Sequence, residues 1–143
     1  MRPFVIGLTA VLLAQAAVGQ AEMTLEQYAT LMNSNAEAVS ALSAAVDAGS
    51  YDDARVYVAM LRRNFQTLRP FWSGRNRADA VAIVSDGMNR LAALEELLGR
   101  NDVPEAAVRS ATEEFGGAVC AACHEVYREG DRQTGFRFRE GAF

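Results

Sequence analysis

TLEQYATLMNSNAEAVSALSAAVDAG, residues 24–49, is the stretch that most directly indicates the fold. Its apolar side chains recur every three or four residues and therefore share one face of a helix. They are Leu25, Tyr28, Leu31, Met32, Val39, Leu42 and Val46. Thr24 and Gln27 have the spacing of a capping box, and Gly49 follows where a glycine commonly ends a helix. The pattern predicts a first helix over about residues 25–48.

Three further segments repeat this spacing. They cover about residues 51–69, 77–98 and 102–128. Ser50 is a typical N-cap for the second helix. Pro70 is expected to end that helix before a short break, and Pro104 suits the first turn of the fourth helix. Four amphipathic helices with short connections predict an all-α fold, an antiparallel four-helix bundle.

Glycines at two places in these helices predict close contacts with the backbone. A glycine inside a helix costs roughly 1 kcal/mol relative to alanine, so Gly87 is expected to mark the approach of another helix or a ligand. Gly116 and Gly117 stand one turn before a cysteine, and we expect the bulky edge of a ligand to need that backbone bare. After the helices, the alternation over residues 136–139 predicts an extended strip lying on them.

The N-terminus has the pattern of a secretory signal peptide, residues 1–20. Arg2 supplies the positive charge, residues 4–17 are almost continuously apolar, and small residues follow. The run is shorter than the about 20 residues that span a bilayer, which favours cleavage over an uncleaved anchor. We expect a single exported domain, residues 21–143, that is periplasmic and free of the membrane. The formal charge of −4 argues against nucleic-acid binding.

The two cysteines and the single histidine fall within five residues, Cys120-Ala-Ala-Cys123-His124. C-x-x-C-H is the attachment pattern of c-type haem. Each thiol adds to one haem vinyl group as a thioether, and the adjacent imidazole ligates the iron. On a helix the three side chains share one face. The motif therefore predicts one covalent haem c held by Cys120, Cys123 and His124.

The cysteine pair has three other interpretations. A thioredoxin-type redox pair needs a βαβ context, and the helical pattern gives none. A zinc site needs a fourth strong ligand, and the chain has no further cysteine or histidine. A disulfide between such close residues would stabilise little. An exported chain also favours the haem interpretation.

The second axial position of the iron is either open or filled by a methionine. The candidates are Met23, Met32, Met60 and Met88. Met32 is preferred because it lies on the apolar stripe of the first helix, although methionine also suits ordinary core packing there. Arg128, one turn after His124, either approaches the imidazole or a haem propionate, or is a solvated cation that complements the helix dipole.

With these residues, the chain resembles the cytochrome c prime family of exported four-helix bundles. The match rests on the C-x-x-C-H motif, the following Tyr127-Arg128 and the helix layout, and covers essentially the whole mature chain. Residues 31–32, 68–72 and the tail after Glu129 resemble the cytochrome c-556-like branch more closely. In that branch a first-helix methionine is the distal ligand, which implies Met32.

The expected function is single-electron transfer between redox partner proteins. The alternative is a five-coordinate haem protein that binds nitric oxide or carbon monoxide, with Leu31 or Leu25 covering an open distal site, as in the cytochrome c prime branch proper. A purely structural helical domain is the third possibility. We expect no enzyme activity, because the one histidine is committed to the iron. The resemblance is also compatible with a homodimer.

Overall fold

The computed structural model describes residues 22–131 and 133–142, so the predicted signal peptide lies outside the described residues. Most of the described chain is helical, which confirms the predicted all-α class. The long helices are α1 (Leu25–Asp47), α2 (Tyr51–Gly74), α3 (Ala78–Leu98) and α4 (Glu105–Phe115). A π-helical segment (Gly116–Ala121) continues α4 into the short α5 (Ala122–Tyr127). Strands β1 (Arg128–Asp131) and β2 (Gly135–Phe138) follow.

Both ends of α1 are capped as the sequence predicts. Gln27 N donates to Thr24 Oγ1 over 3.2 Å, and Thr24 N donates to Gln27 Oε1 over 2.8 Å. These bonds form the predicted capping box. At the other end, Gly49 has a φ of +68° and Ser50 N donates to Ala45 O over 2.8 Å, which is a Schellman motif. Ser50 is also the N-cap residue of α2, but its side chain makes no capping hydrogen bond, contrary to the prediction.

The predicted end of α2 at Pro70 is wrong, because the helix continues to Gly74. Proline inside a helix costs about 3 kcal/mol. The extra turn buries Phe71 and Trp72, which are 2% and 0% exposed, and burying one large apolar side chain contributes about 1.5–3 kcal/mol. Two such side chains offset the cost of the proline. Burial in the tertiary structure therefore overrides the local stop signal.

The helices pack through the apolar stripes that the sequence predicts. α2 contacts α1 and α3, and α4 contacts the same two helices. The largest fully buried side chains include Phe115, Leu42, Leu61, Leu91 and Leu94. Gly87 lies at a close approach, as predicted: a Cβ atom there would stand 2.6 Å from Phe65 Cε1 and 2.8 Å from Val119 Cγ1. Among the helices of the described chain, none is long and apolar enough to cross a membrane.

The fourth predicted helix is not uniformly α-helical. Gly116 and Gly117 begin the π-helical segment that carries Cys120. A Cβ atom on either glycine would meet nothing within 4 Å, so no packed group of the described protein requires them to be bare. Both glycines instead belong to a π-helical segment. Such segments are rare overall, but they often occur at functional sites.

The C-terminal tail forms a β-hairpin that folds back on the helices. β1 and β2 pair antiparallel, with Arg128 opposite Phe138. The ring of Phe138 lies 5.0 Å from that of Tyr28, which itself lies 4.5 Å from the ring of Phe71. The predicted extended strip is therefore half of a hairpin, anchored by an aromatic cluster at one end of α1 and α2.

Candidate functional site

A cavity of about 350 Å³ lies between α1, α2, α3 and the segment that carries the cysteines. Its lining residues are Tyr28, Met32, Asn35, Ala36, Val39, Ser40, Phe65, Leu68, Trp72, Ile83, Val84, Val119, Cys120, Cys123 and His124. The volume falls within the roughly 300–1,000 Å³ typical of ligand pockets. Most of the lining is apolar, and no Asp, Glu, Lys or Arg is among the described lining residues. The lining of such a cavity suits a mostly apolar ligand.

The cysteines and the histidine reach this cavity from consecutive turns of one helical segment. Cys120 is the last residue but one of the π-helical segment, and Cys123 and His124 belong to α5. Both thiols are half-buried and free. The spacing of three and four residues therefore places all three side chains toward one cavity, as the sequence predicts.

Burial controls the protonation of these groups. It raises the pKa of the Cys123 thiol to about 11, with added effects from Cys120 and Asp79, and it raises the pKa of Cys120. Burial is also the main reason that the pKa of His124 is lowered, and the Arg128 cation adds to that shift. At neutral pH the thiols are protonated and the imidazole is neutral. Neutral imidazole is the form that ligates metals.

Met32 lines the same cavity from α1, about 90 residues before the cysteines and the histidine in the chain. Ala36 and Val39 lie on the same face of α1 and line the cavity with it. The other candidate methionines, Met23, Met60 and Met88, pack against the core and are not lining residues. The fold thus brings one methionine and the C-x-x-C-H side chains to a common space, and that methionine is the one the sequence favours.

Arg128 is not a lining residue of the cavity. It lines an open and more polar groove together with Cys120, His124, Glu125 and other neighbours. Its guanidinium carbon lies 4.2 Å from the centroid of the Phe136 ring, which is a cation–π distance. Arg128 therefore lines a groove beside His124, while its cation–π contact joins the two strands of the hairpin.

Sequence reasoning missed two side chains of this region, Asn35 and Asn64. Asn35 is 7% exposed and lines the cavity, and its Oδ1 accepts a hydrogen bond of 2.9 Å from Asn64 Nδ2. Asn35 follows Met32 by three residues, so both lie on one face of α1. A polar residue on a buried stripe was the signal available in the sequence.

Among the residues that the structure describes, no group of three or more His, Cys, Asp or Glu side chains is arranged to hold a metal ion by itself. No protein-family model, curated protein or solved structure matches the chain.

Proposed function

We propose that the chain is an exported monohaem c-type cytochrome that carries single electrons between redox partner proteins. One haem c would be attached through Cys120 and Cys123, with His124 and Met32 as axial ligands, in an antiparallel four-helix bundle of the cytochrome c prime type. The observation that carries this proposal is the convergence of Met32 with the C-x-x-C-H side chains on one apolar cavity.

The donor set fits haem c. Two thiols with the required spacing supply the covalent links, a neutral imidazole supplies one axial nitrogen, and a thioether supplies a second ligand of the kind found in cytochromes c. The apolar lining suits a macrocycle. The side chains of Ala121 and Ala122, between Cys120 and Cys123, are small, so a macrocycle can approach the helix closely.

When bound, the haem iron supplies a one-electron couple between its ferrous and ferric states. The protein tunes that couple through axial ligands and burial. Met32 would raise the reduction potential as a thioether ligand, and the apolar walls would restrict solvent. A neutral His124 needs no deprotonation to bind. A chain with a formal charge of −4 would select its redox partner by complementary charge, and a homodimer is compatible with the proposal.

Optical spectra of the full chain, expressed with a c-type haem maturation system, test the proposal. The expected result is covalent haem with a sharp low-spin reduced spectrum. Met32→Ala should convert it to a high-spin spectrum that responds to carbon monoxide. Met88→Ala is the matched control, because Met88 packs against the core without lining the cavity, and it should leave the spectrum low-spin.

Three outcomes would change the proposal. A chain without covalent haem after expression with the maturation system would contradict it and leave the purely structural interpretation. A wild-type spectrum that is already high-spin and responds to carbon monoxide would replace the electron carrier with a gas-binding haem protein. A low-spin spectrum that survives Met32→Ala would show that Met32 is not the ligand.

A further inference from the structure

Asn35 is the least expected member of the cavity lining. It is only 7% exposed to solvent, and its neighbours in the wall are mostly apolar. A buried amide without compensating hydrogen bonds costs roughly 1–3 kcal/mol in proteins. Its presence on the apolar stripe, three residues after Met32, therefore calls for a partner.

Asn64 on α2 holds one end of the Asn35 side chain. Asn64 Nδ2 donates to Asn35 Oδ1 over 2.9 Å and to Ser34 Oγ over 3.2 Å. The carbonyl oxygen of Asn35 is thereby satisfied and its orientation is fixed. Among the side-chain hydrogen bonds of residues 22–131 and 133–142, Asn35 takes part only as the acceptor from Asn64. The two N–H groups remain as donors beside the cavity.

We propose that Asn35 determines which ligands the site accepts when Met32 does not bind the iron, by donating a hydrogen bond to a small anion such as cyanide. This inference rests on the proposed function, because the anion would bind at the haem iron. A hydrogen bond to a charged acceptor is stronger than one between neutral groups, and the apolar surroundings strengthen it further. Carbon monoxide is neutral and accepts hydrogen bonds weakly, so Asn35 favours anions over it.

The test uses the Met32→Ala holoprotein, in which the second axial position is open to added ligands. Asn35→Leu removes the donor at nearly constant volume. Asn33→Leu is the matched control, since Asn33 is exposed on the same helix and is not a lining residue. The ferric proteins are titrated with potassium cyanide and the ferrous proteins with carbon monoxide, and each dissociation constant is read from the Soret band.

Asn35→Leu is expected to weaken cyanide binding about 10-fold to 100-fold, the range for a lost hydrogen bond to a charged group. Carbon monoxide binding should change less than about 3-fold, and Asn33→Leu should change neither. Asn64→Leu is the second variant. It leaves Asn35 in place but removes the bond that orients it, and it should weaken cyanide binding by an intermediate factor.

The outcomes separate this inference from the proposed function. Haem-loaded variants with unchanged cyanide affinity, or with equal losses for cyanide and carbon monoxide, would overturn the role of Asn35 and leave the cytochrome proposal standing. If Asn35→Leu does not fold, the Asn64→Leu result decides in the same way. A chain without covalent haem, detected by the pyridine haemochrome spectrum of the denatured protein, would overturn both proposals.

Discussion

Gly87→Ala probes the tightest packing in the helical core. The added Cβ would lie 2.6 Å from Phe65 Cε1 and 2.8 Å from Val119 Cγ1, closer than nonbonded carbon atoms tolerate. Phe65 and Val119 are 6% and 1% exposed, so the added methyl group is accommodated only if these side chains shift toward the cavity or the helices move apart. Both side chains also line the cavity. The substitution therefore strains the core and the candidate site together.

Two opposing terms set the magnitude of this effect. The higher helix propensity of alanine stabilises a helix interior by about 1 kcal/mol relative to glycine. Overpacking a well-packed core costs about 1–3 kcal/mol, and two overlaps against buried side chains place Gly87→Ala near the upper end of that range. The expected net change is a loss of about 1–2 kcal/mol in the free energy of unfolding.

Gly117→Ala is the matched control. It makes the same chemical change in a helical segment, but its Cβ would meet nothing within 4 Å. That variant should be neutral or up to about 1 kcal/mol more stable than the wild type. The two glycine-to-alanine changes should therefore have opposite or clearly different effects on stability.

Urea unfolding followed by far-ultraviolet circular dichroism measures both variants in the same cofactor state. With a slope of about 1–3 kcal/mol per molar urea, Gly87→Ala should lower the midpoint by roughly 0.3–2 M. A Gly87→Ala midpoint equal to or above that of Gly117→Ala would refute the reasoning, because the helix-propensity term would then outweigh the packing term.

Two further predictions concern the polar contacts that Asp79 and Arg77 make with the C-terminal part of the chain. Hydrogen bonds from Tyr127 and then Arg77 lower the pKa of Asp79 from 3.8 to about 2, so its stabilising effect is complete above pH 4 and is lost as the pH falls toward 2. The unfolding midpoints of wild type and Asp79→Asn should therefore differ above pH 4 and converge near pH 2, and a pH-independent difference would contradict this. Arg77 Nη1 donates to Ala142 O over 3.0 Å, so Arg77→Ala should speed tryptic cleavage of the C-terminal hairpin, measured by mass spectrometry. Equal rates in Arg77→Ala and the exposed control Arg100→Ala would contradict that role.

Local sequence signals predicted the features that depend on neighbouring residues. The capping box of Thr24 and Gln27 and the terminating Gly49 need only a few adjacent residues, and the structure has all three. The bounds of α3 also follow from its periodicity, to within one residue. Because glycine is unfavourable inside a helix, the sequence also predicts a close approach at Gly87. It does not indicate which side chains make that approach.

Features that depend on distant contacts were predicted less well. Pro70 is a correct local stop signal, but the burial of Phe71 and Trp72 outweighs it. The sequence predicts only one extended strip of this hairpin, because the turn is built from Asp131. Its Oδ1 accepts hydrogen bonds from Gln133 N and Thr134 N over 2.8 Å each. That turn lacks the Asn-Gly or Asp-Gly pair that signals a tight hairpin.

The residues of the candidate site also differ in how well the sequence predicts that they come together. Cys120, Cys123 and His124 are adjacent in sequence, and helical spacing alone directs them to one surface. Met32 and Asn35 reach that surface only through the packing of α1 beside α4, which continues into the segment that carries the cysteines. Periodicity assigns Met32 to a buried face but does not say what the face meets, so a core methionine and an axial ligand have the same pattern.

Asn35 shows how this ambiguity can be reduced. An apolar stripe that served only the core would gain nothing from a buried amide, since the amide needs a partner that a hydrocarbon side chain does not. On α1 that amide stands three residues from the methionine and is oriented by Asn64. A polar residue that interrupts a buried stripe beside a candidate ligand therefore favours a site over simple packing, and in this chain both residues line the cavity that contains the C-x-x-C-H side chains.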